Sequence, residues 1–484
     1  PRTPRNQLNV TNPPPPTKCL VNLGRQCRRA SSFWGGSSRS FASPSRESPS
    51  RASRSLATRS LATRQFGALA LLVASTALAG CAGVFQRSAP SSVMSYSAIA
   101  TASVMRVGSA ERDITPEIGD YMGGFSIART STAIGSPLKV RALVIETGAR
   151  RFAILGIDSL GLMRDDVDYI KSGLGGFANG DVFVCSSHTH AGPDPIGIWG
   201  YYFLTSGRSG AYIGRIRAAA REAVLEARRN ADDANWQYGQ SMLPASNLVK
   251  NANRTGVFDR RVRVLHAVAT GDGRPLGSLL HFACHPEVLP RRNTLVSADI
   301  VGALCDEWKR RGHGQAVFAN GALGAMISPD FQPRDMDGVV EFGRITCDLC
   351  EQALRDSKPL PVDEIEVRRS DVYLPMASAA FRIGRTTTAL QREVFSGAAR
   401  SVVGYLRIGK FEAVAIPGEM EPALAEQMRG QLGKPDLVVF GLCDDEVGYL
   451  MREQDAIDPL FAYERSMSPC RTAGERVRRA VTGR

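Results

Sequence analysis

The chain contains six histidines: His188, His190, His266, His281, His285 and His313. Three of them stand where apolar runs end. The run 181–187 leads into His188-Thr189-His190-Ala191-Gly192-Pro193, and the run 276–284 leads into His285-Pro286, where the proline stops the strand. In an extended strand, residues two apart point to one face, so His188 and His190 could approach the same metal ion. If the strand ends at His188, one of the pair reaches the metal, and the other supports it from behind or handles protons. Two strand-end histidine sites beside acidic and glycine-rich loops point to a metal centre. Two other patterns carry less. Ser328, in Gly324-Ala325-Met326-Ile327-Ser328-Pro329, offers a hydroxyl nucleophile, but no GxSxG elbow surrounds it. Cys347 and Cys350 form a CxxC inside an amphipathic helical pattern with no second CxxC nearby. That arrangement reads as a disulfide or two core thiols rather than a structural zinc site.

The residues that must position these groups alternate between two periodicities. Strands are expected over 140–146, 152–158, 181–187, 261–269, 276–283, 317–319, 364–374, 402–407, 411–416 and 437–442. Helices are expected over 209–230, 299–311, 337–357 and 421–432. The class is α/β, with mixed β-sheets flanked by helices in a single catalytic domain over 104–484, because several neighbouring strands have hairpin-length connections. Strand order does not follow from the pattern.

Composition narrows the rest. The 484 residues carry a formal charge of +13, but residues 1–80 hold twelve basic residues against the single acid Glu47, so eleven of those charges lie in the N-terminal segment. A basic nucleic-acid-binding body is excluded, and no nucleic-acid partner is expected. Residues 1–64, rich in Pro, Ser and Arg and with Ser55-Leu56-Ala57-Thr58-Arg59 repeated at 60–64, lack the apolar surface to order. No Met precedes Met94, so a start site placed too early is one explanation of this stretch. Residues 65–81 combine a basic flank, a short apolar run and small residues, as an export signal does. Leu78-Ala79-Gly80-Cys81 resembles the lipobox of bacterial lipoproteins. That resemblance implies acylation of Cys81 and anchoring to a membrane surface of a bacterial cell envelope; an ordinary secretory signal is the alternative. Residues 82–103 read as a flexible tether.

Several short motifs, in order, resemble those of the neutral/alkaline (non-lysosomal) ceramidases. His188–Pro193 (HTHAGP) is similar to the family's HTHSGP. Arg112-Asp113-Ile114-Thr115-Pro116 with Met122-Gly123-Gly124 is similar to its DIT(P)…MxGY, and Asn251-Ala252-Asn253-Arg254-Thr255 to its NINRS. Phe282-Ala283-Cys284-His285-Pro286 resembles FAVHP, Ser297-Ala298-Asp299 resembles SGD, Ile416-Pro417-Gly418-Glu419 resembles VPGE, and 441–449 resembles the closing GLxN…Y segment. The resemblance implies a zinc-dependent amide hydrolase acting on ceramide or a related lipid amide through metal-activated water. It places the Zn²⁺ ligands on His188, His285, Glu419 and Tyr449, proton transfer on His190, and the active-site arginine on Arg254. The family's GDxSP loop departs here. Ala325 stands where its Asp is expected, and Asp330 is a candidate replacement. The C-terminal β-sandwich of larger members is not expected. Two alternatives stand beside this reading: a metal-independent serine hydrolase using Ser328, and a non-catalytic lipid-binding lipoprotein.

Overall fold

β-Branched and apolar runs bounded by turns build two large mixed sheets. The computed structural model describes residues 92–148, 150–201, 205–253, 257–387 and 390–483. The expected 1–64 extension, the 65–81 signal with Cys81, and Arg254 lie outside them. Among the described residues the larger sheet has nine strands. Eight of them run in the order Ala316–Asn320, Pro275–Phe282, Arg261–Ala269, Asp232–Met242, Arg106–Asp113, Lys139–Glu146, Arg151–Ile157 and Val182–Ser186. Lys358–Leu360 pairs alongside Asp232–Met242. The smaller sheet runs Ser92–Thr101, Glu364–Pro375, Ala398–Ile408, Phe411–Ala415, Val438–Phe440, with Val394–Phe395 beside Ala398–Ile408.

Within the tether expected over 82–103, residues 92–101 form a strand instead, and 82–91 lie outside the described residues. The strand's Ser/Ala-rich sequence looks like a linker, but it pairs antiparallel with Glu364–Pro375, which sets Ala98 opposite Val367 and Ala100 opposite Ile365. Both alanines are buried. Long-range pairing outweighs local composition here.

The two sheets pack face to face through Leu143, Ile154, Phe183 and Val317 on one side and Ile365, Leu406, Val438 and Phe440 on the other. Helices Gly210–Arg229, Asp299–Arg310 and Met336–Arg355 cover the outer face of the larger sheet. Pro422–Leu432 and Ala473–Thr482 cover that of the smaller. The result is a helix–sheet–sheet–helix sandwich. Two of the long helices begin as capping rules require: the side chains of Ser209 and Asp335 accept from the backbone N–H groups of Tyr212 and Gly338. None of the described helices is long and apolar enough to cross a membrane.

In the two large sheets, three strand pairs are parallel: Arg151–Ile157 with Val182–Ser186, Pro275–Phe282 with Ala316–Asn320, and Phe411–Ala415 with Val438–Phe440. His188, His285, Glu419 and Tyr449 all follow the carboxyl ends of these strands, the usual place for ligands in α/β sheets. The end strands of the larger sheet also meet there, because Asn320 Nδ2 donates to Ser187 O at 3.0 Å and to Cys284 O at 2.8 Å. One side chain thus clamps the residues that precede His188 and His285.

Candidate metal centre

The strand Val182–Ser186 ends before the first histidine. His188 has φ 74°, a left-handed turn, so His188 and His190 do not share a strand face. The turn still brings their rings to a centroid distance of 4.9 Å. His188 Nδ1 donates to Leu160 O at 2.5 Å and His285 Nδ1 to Ile327 O at 2.8 Å. A carbonyl only accepts, so both protons sit on Nδ1, and each Nε2 is left for the centre. Glu419 arrives from the smaller sheet. The two-residue parallel pairing of Glu419–Met420 with Tyr449–Leu450 sets Glu419 directly opposite Tyr449. It requires Gly418, since a side chain there would come within 2.5 Å of Gly448 O. Glu419 Oε2 then lies 3.1 Å from His285 Nε2 and 3.5 Å from His188 Nε2.

His190 completes the group. A donor atom from each of His188, His190 and His285 lies within 4.8 Å of the others. Its backbone is held by Arg129, whose Nη2 donates to His190 O at 2.6 Å and to Gly123 O at 2.7 Å. Its ring rests on Gly124 (φ +100°), where a Cβ would come within 2.6 Å of His190 Cγ. Phe125 meets the ring edge-on at 4.7 Å. Neither ring nitrogen has a hydrogen-bond partner although the residue is buried, and His188 Nε2 has none either.

Electrostatics follow from this burial. Desolvation, then His188 and His285, push the His190 pKa well below its ordinary value. Burial also opposes charge on His285, but Glu419 outweighs it and holds that imidazole up. Burial would raise the Glu419 carboxyl; the two histidines outweigh it and hold it below the usual carboxylate range. The Tyr449 phenol is pushed up by burial and then by Glu419, and its hydroxyl lies 3.5 Å from Met326 Sδ. Buried ring nitrogens without partners, converging with a carboxylate oxygen, fit a zinc ion, whose preferred donors are imidazole and carboxylate. The donor set therefore suits the metal that the motifs imply.

The fold brings together His188, His190, His285, Glu419 and Tyr449. Arg254 lies outside the described residues; its neighbour Asn253 donates to Glu464, next to Tyr463 at the cavity wall. Ser328 lies on the short strand Ile327–Pro329 opposite Lys250. The ring nitrogens of the six histidines bond to other groups or to none, so Ser328 has no imidazole base. Asp330 does not replace the acid absent at Ala325; it is exposed and pairs with Lys250 at 3.0 Å. Asp299 holds the loop after His285 by accepting from the N–H groups of Val288, Leu289 and Ile300, and burial pushes its carboxyl up to about 6. Cys347 and Cys350 are free thiols packed in the core.

A cavity of about 260 Å³ opens beside the centre. His188, His190, Glu419 and Tyr449 form part of its wall, and Leu160, Ile196, Trp199, Phe381, Leu390 and Met467 supply apolar lining. Glu446 also lines it, and neither its type nor its spacing marked it in the sequence. Asn320 was equally silent, and Gly124 stood in the Met122-Gly123-Gly124 motif with no role attached, because both roles arise only when distant segments meet.

No family profile and no curated protein sequence matches the chain. Solved structures do, among them neutral ceramidase from Pseudomonas aeruginosa and a ceramidase complexed with C2. Each of these two gives a TM-score of 0.62 at 16% identity over 78% of this chain and 75% of that one. The likeness shows that the chain shares the fold of the neutral ceramidase.

Proposed function

We propose that the protein is a zinc-dependent amidohydrolase that cleaves the N-acyl amide of ceramide or a related lipid amide. The observation that carries this reading is the convergence of partnerless, buried imidazole nitrogens and Glu419 Oε2 at the wall of an apolar cavity. His188, His285, Glu419 and Tyr449 would hold the zinc, which when bound lowers the pKa of water and polarises a carbonyl. The apolar wall takes the hydrocarbon chain and excludes bulk water from the amide. His190, with both ring nitrogens uncommitted and a pKa depressed by burial, stays neutral at working pH. It accepts a proton from the attacking water and passes it to the leaving amine. Arg254 would stabilise the oxyanion. Lipidation of Cys81 would keep the enzyme at the membrane surface where such a substrate resides.

A second ligand set has its own support. His190 lies within the same 4.8 Å group as His188 and His285, so a three-histidine site with Glu419 is the competing assignment. Zinc analysis coupled to an N-acylsphingosine hydrolysis assay tests both. One zinc per chain and turnover, both lost in His188→Ala and His285→Ala, support the proposal. Stoichiometric zinc surviving in both variants rules the site out. Zinc loss in His190→Ala with retention in Tyr449→Phe moves the fourth ligand from Tyr449 to His190.

A further inference from the structure

Glu446 is a buried acid in the cavity wall that the zinc reading does not use. Its Oε1 accepts from the Gly448 N–H at 2.7 Å, while Oε2 has no hydrogen-bond partner. The neighbouring Asp445 is different: it accepts from the Arg164 N–H, the Ser401 hydroxyl and Arg392, and so anchors the loop. Space for Glu446 is provided by Gly161, where a Cβ would lie 2.6 Å from Glu446 Cγ and 3.2 Å from its Oε2. Gly161 directly follows Leu160, whose carbonyl holds His188. The free oxygen therefore belongs to the same wall as the metal centre, among apolar side chains. A buried polar atom left unmet costs free energy, so such a group is kept where a ligand meets it.

We propose that Glu446 forms a polar subsite in this cavity and determines specificity by binding a hydroxyl group of the substrate next to the scissile amide. Burial, followed by the charge of Glu419, pushes its carboxyl well above the ordinary range. The free oxygen can accept from a hydroxyl, and in a largely apolar wall an alcohol meets it without bringing a further charge out of water. The position of the amide rests on the amidase reading; the subsite itself does not.

The test compares zinc-loaded wild type, Glu446→Leu and Glu446→Gln on N-dodecanoyl sphinganine and on N-dodecanoyl octadecylamine, which lacks the hydroxyls. Wild type should prefer the hydroxylated amide by about 10–100-fold in kcat/KM, the fold-change expected for one buried hydrogen bond left unmet. Glu446→Leu should lose that preference through the hydroxylated substrate. Glu446→Gln, which still donates and accepts, should keep most of it, with zinc content equal in all three. An undiminished preference in Glu446→Leu overturns the proposal. If wild type cleaves neither amide, the amidase reading fails, and binding of sphinganine against octadecylamine decides the subsite. Tighter binding of sphinganine that disappears in Glu446→Leu supports it, and equal binding in wild type overturns it.

Discussion

Two buried polar clusters hang on the strand Pro275–Phe282 and its continuation, four residues apart, and they are finished in opposite ways. Around His281 the groups are paired, Arg263 Nε excepted. His281 Nε2 donates to Val439 O at 2.9 Å, and its Nδ1 meets Arg263 Nη1 at 3.3 Å. Asp259 takes Arg261, Arg263 and Arg429 at 2.7–2.9 Å. Around His285 the polar groups converge but do not complete one another: neither ring nitrogen of His190 has a hydrogen-bond partner, Glu287 Oε2 lying 3.9 Å from Nδ1. Paired burial of this kind ties a loop, a strand and the helix Pro422–Leu432 together. Unpaired burial is tolerated only where something else supplies the missing bond. The same strand thus carries a fastening at His281 and the candidate metal centre at His285.

The largest effect that would break this contrast is at His285. His285→Ala should lose zinc and reduce turnover to background, whereas His281→Phe should keep both and lower stability only, by about 1–3 kcal/mol for the partners left unmet. Zinc content and thermal denaturation of the two variants check this. If His281→Phe also loses zinc in a folded protein, the two clusters are not separate. His190→Ala comes next. It should retain zinc and fold but lose about 10²–10⁴ in turnover, the range for a positioned acid or base, and, because burial holds the His190 pKa well below its ordinary value, the limb lost from its pH–rate profile should be the acid one. Asp259→Ala then tests the fastening. Removing one partner of a buried charged cluster costs about 3–5 kcal/mol, so denaturant midpoints should fall steeply while the zinc bound per folded chain stays at one.

Only the His285 side of this contrast is legible in the sequence, and unevenly; nothing in it marks the pairing around His281. His188, His285, Glu419 and Tyr449 sit in short motifs whose residue types are metal donors, and the fold brings all four to one place. The division of labour within the HxH was less legible. An extended backbone would set both rings on one face; the strand instead ends before His188 in a left-handed turn, the alternative in which one ring of the pair reaches the metal and the other supports it or handles protons. The strand Asp232–Met242 was missed because its polar sequence buries only Trp236, Gly239 and Ser241. Even so, it joins the two halves of the larger sheet by pairing with both Arg106–Asp113 and Arg261–Ala269. Glu446 and Asn320 had no signal at all. A buried acid or amide looks like any other until the walls around it are known.

The smallest expected effect separates the clusters by the sign of their response to acid. Asp259 is buried, which alone would raise its carboxyl, but Arg263, Arg261 and Arg429 outweigh that and hold it far below the ordinary range. The unfolded chain then binds a proton below about pH 4 while the folded protein does not, so this group's stabilisation is present above pH 4 and is lost as pH falls. Asp299, in the loop that follows His285, is the reverse case. Three backbone N–H groups favour its charged form, yet burial wins and its carboxyl titrates at about 6. The folded protein then binds the proton more tightly than the unfolded chain does. Its contribution is present in full below about pH 4 and is lost as pH rises to 6. Each group changes stability at no more than about 1.4 kcal/mol per pH unit within its window. Urea denaturation of the zinc-free protein from pH 3 to pH 7 measures both. Asp259→Asn should flatten the acid limb, and Asp299→Asn should remove the loss between 4 and 6. An Asp299→Asn profile identical to wild type across that interval would mean that its three N–H donors, rather than burial, set its charge, and that the loop beside His285 is as fully paired as the cluster around His281.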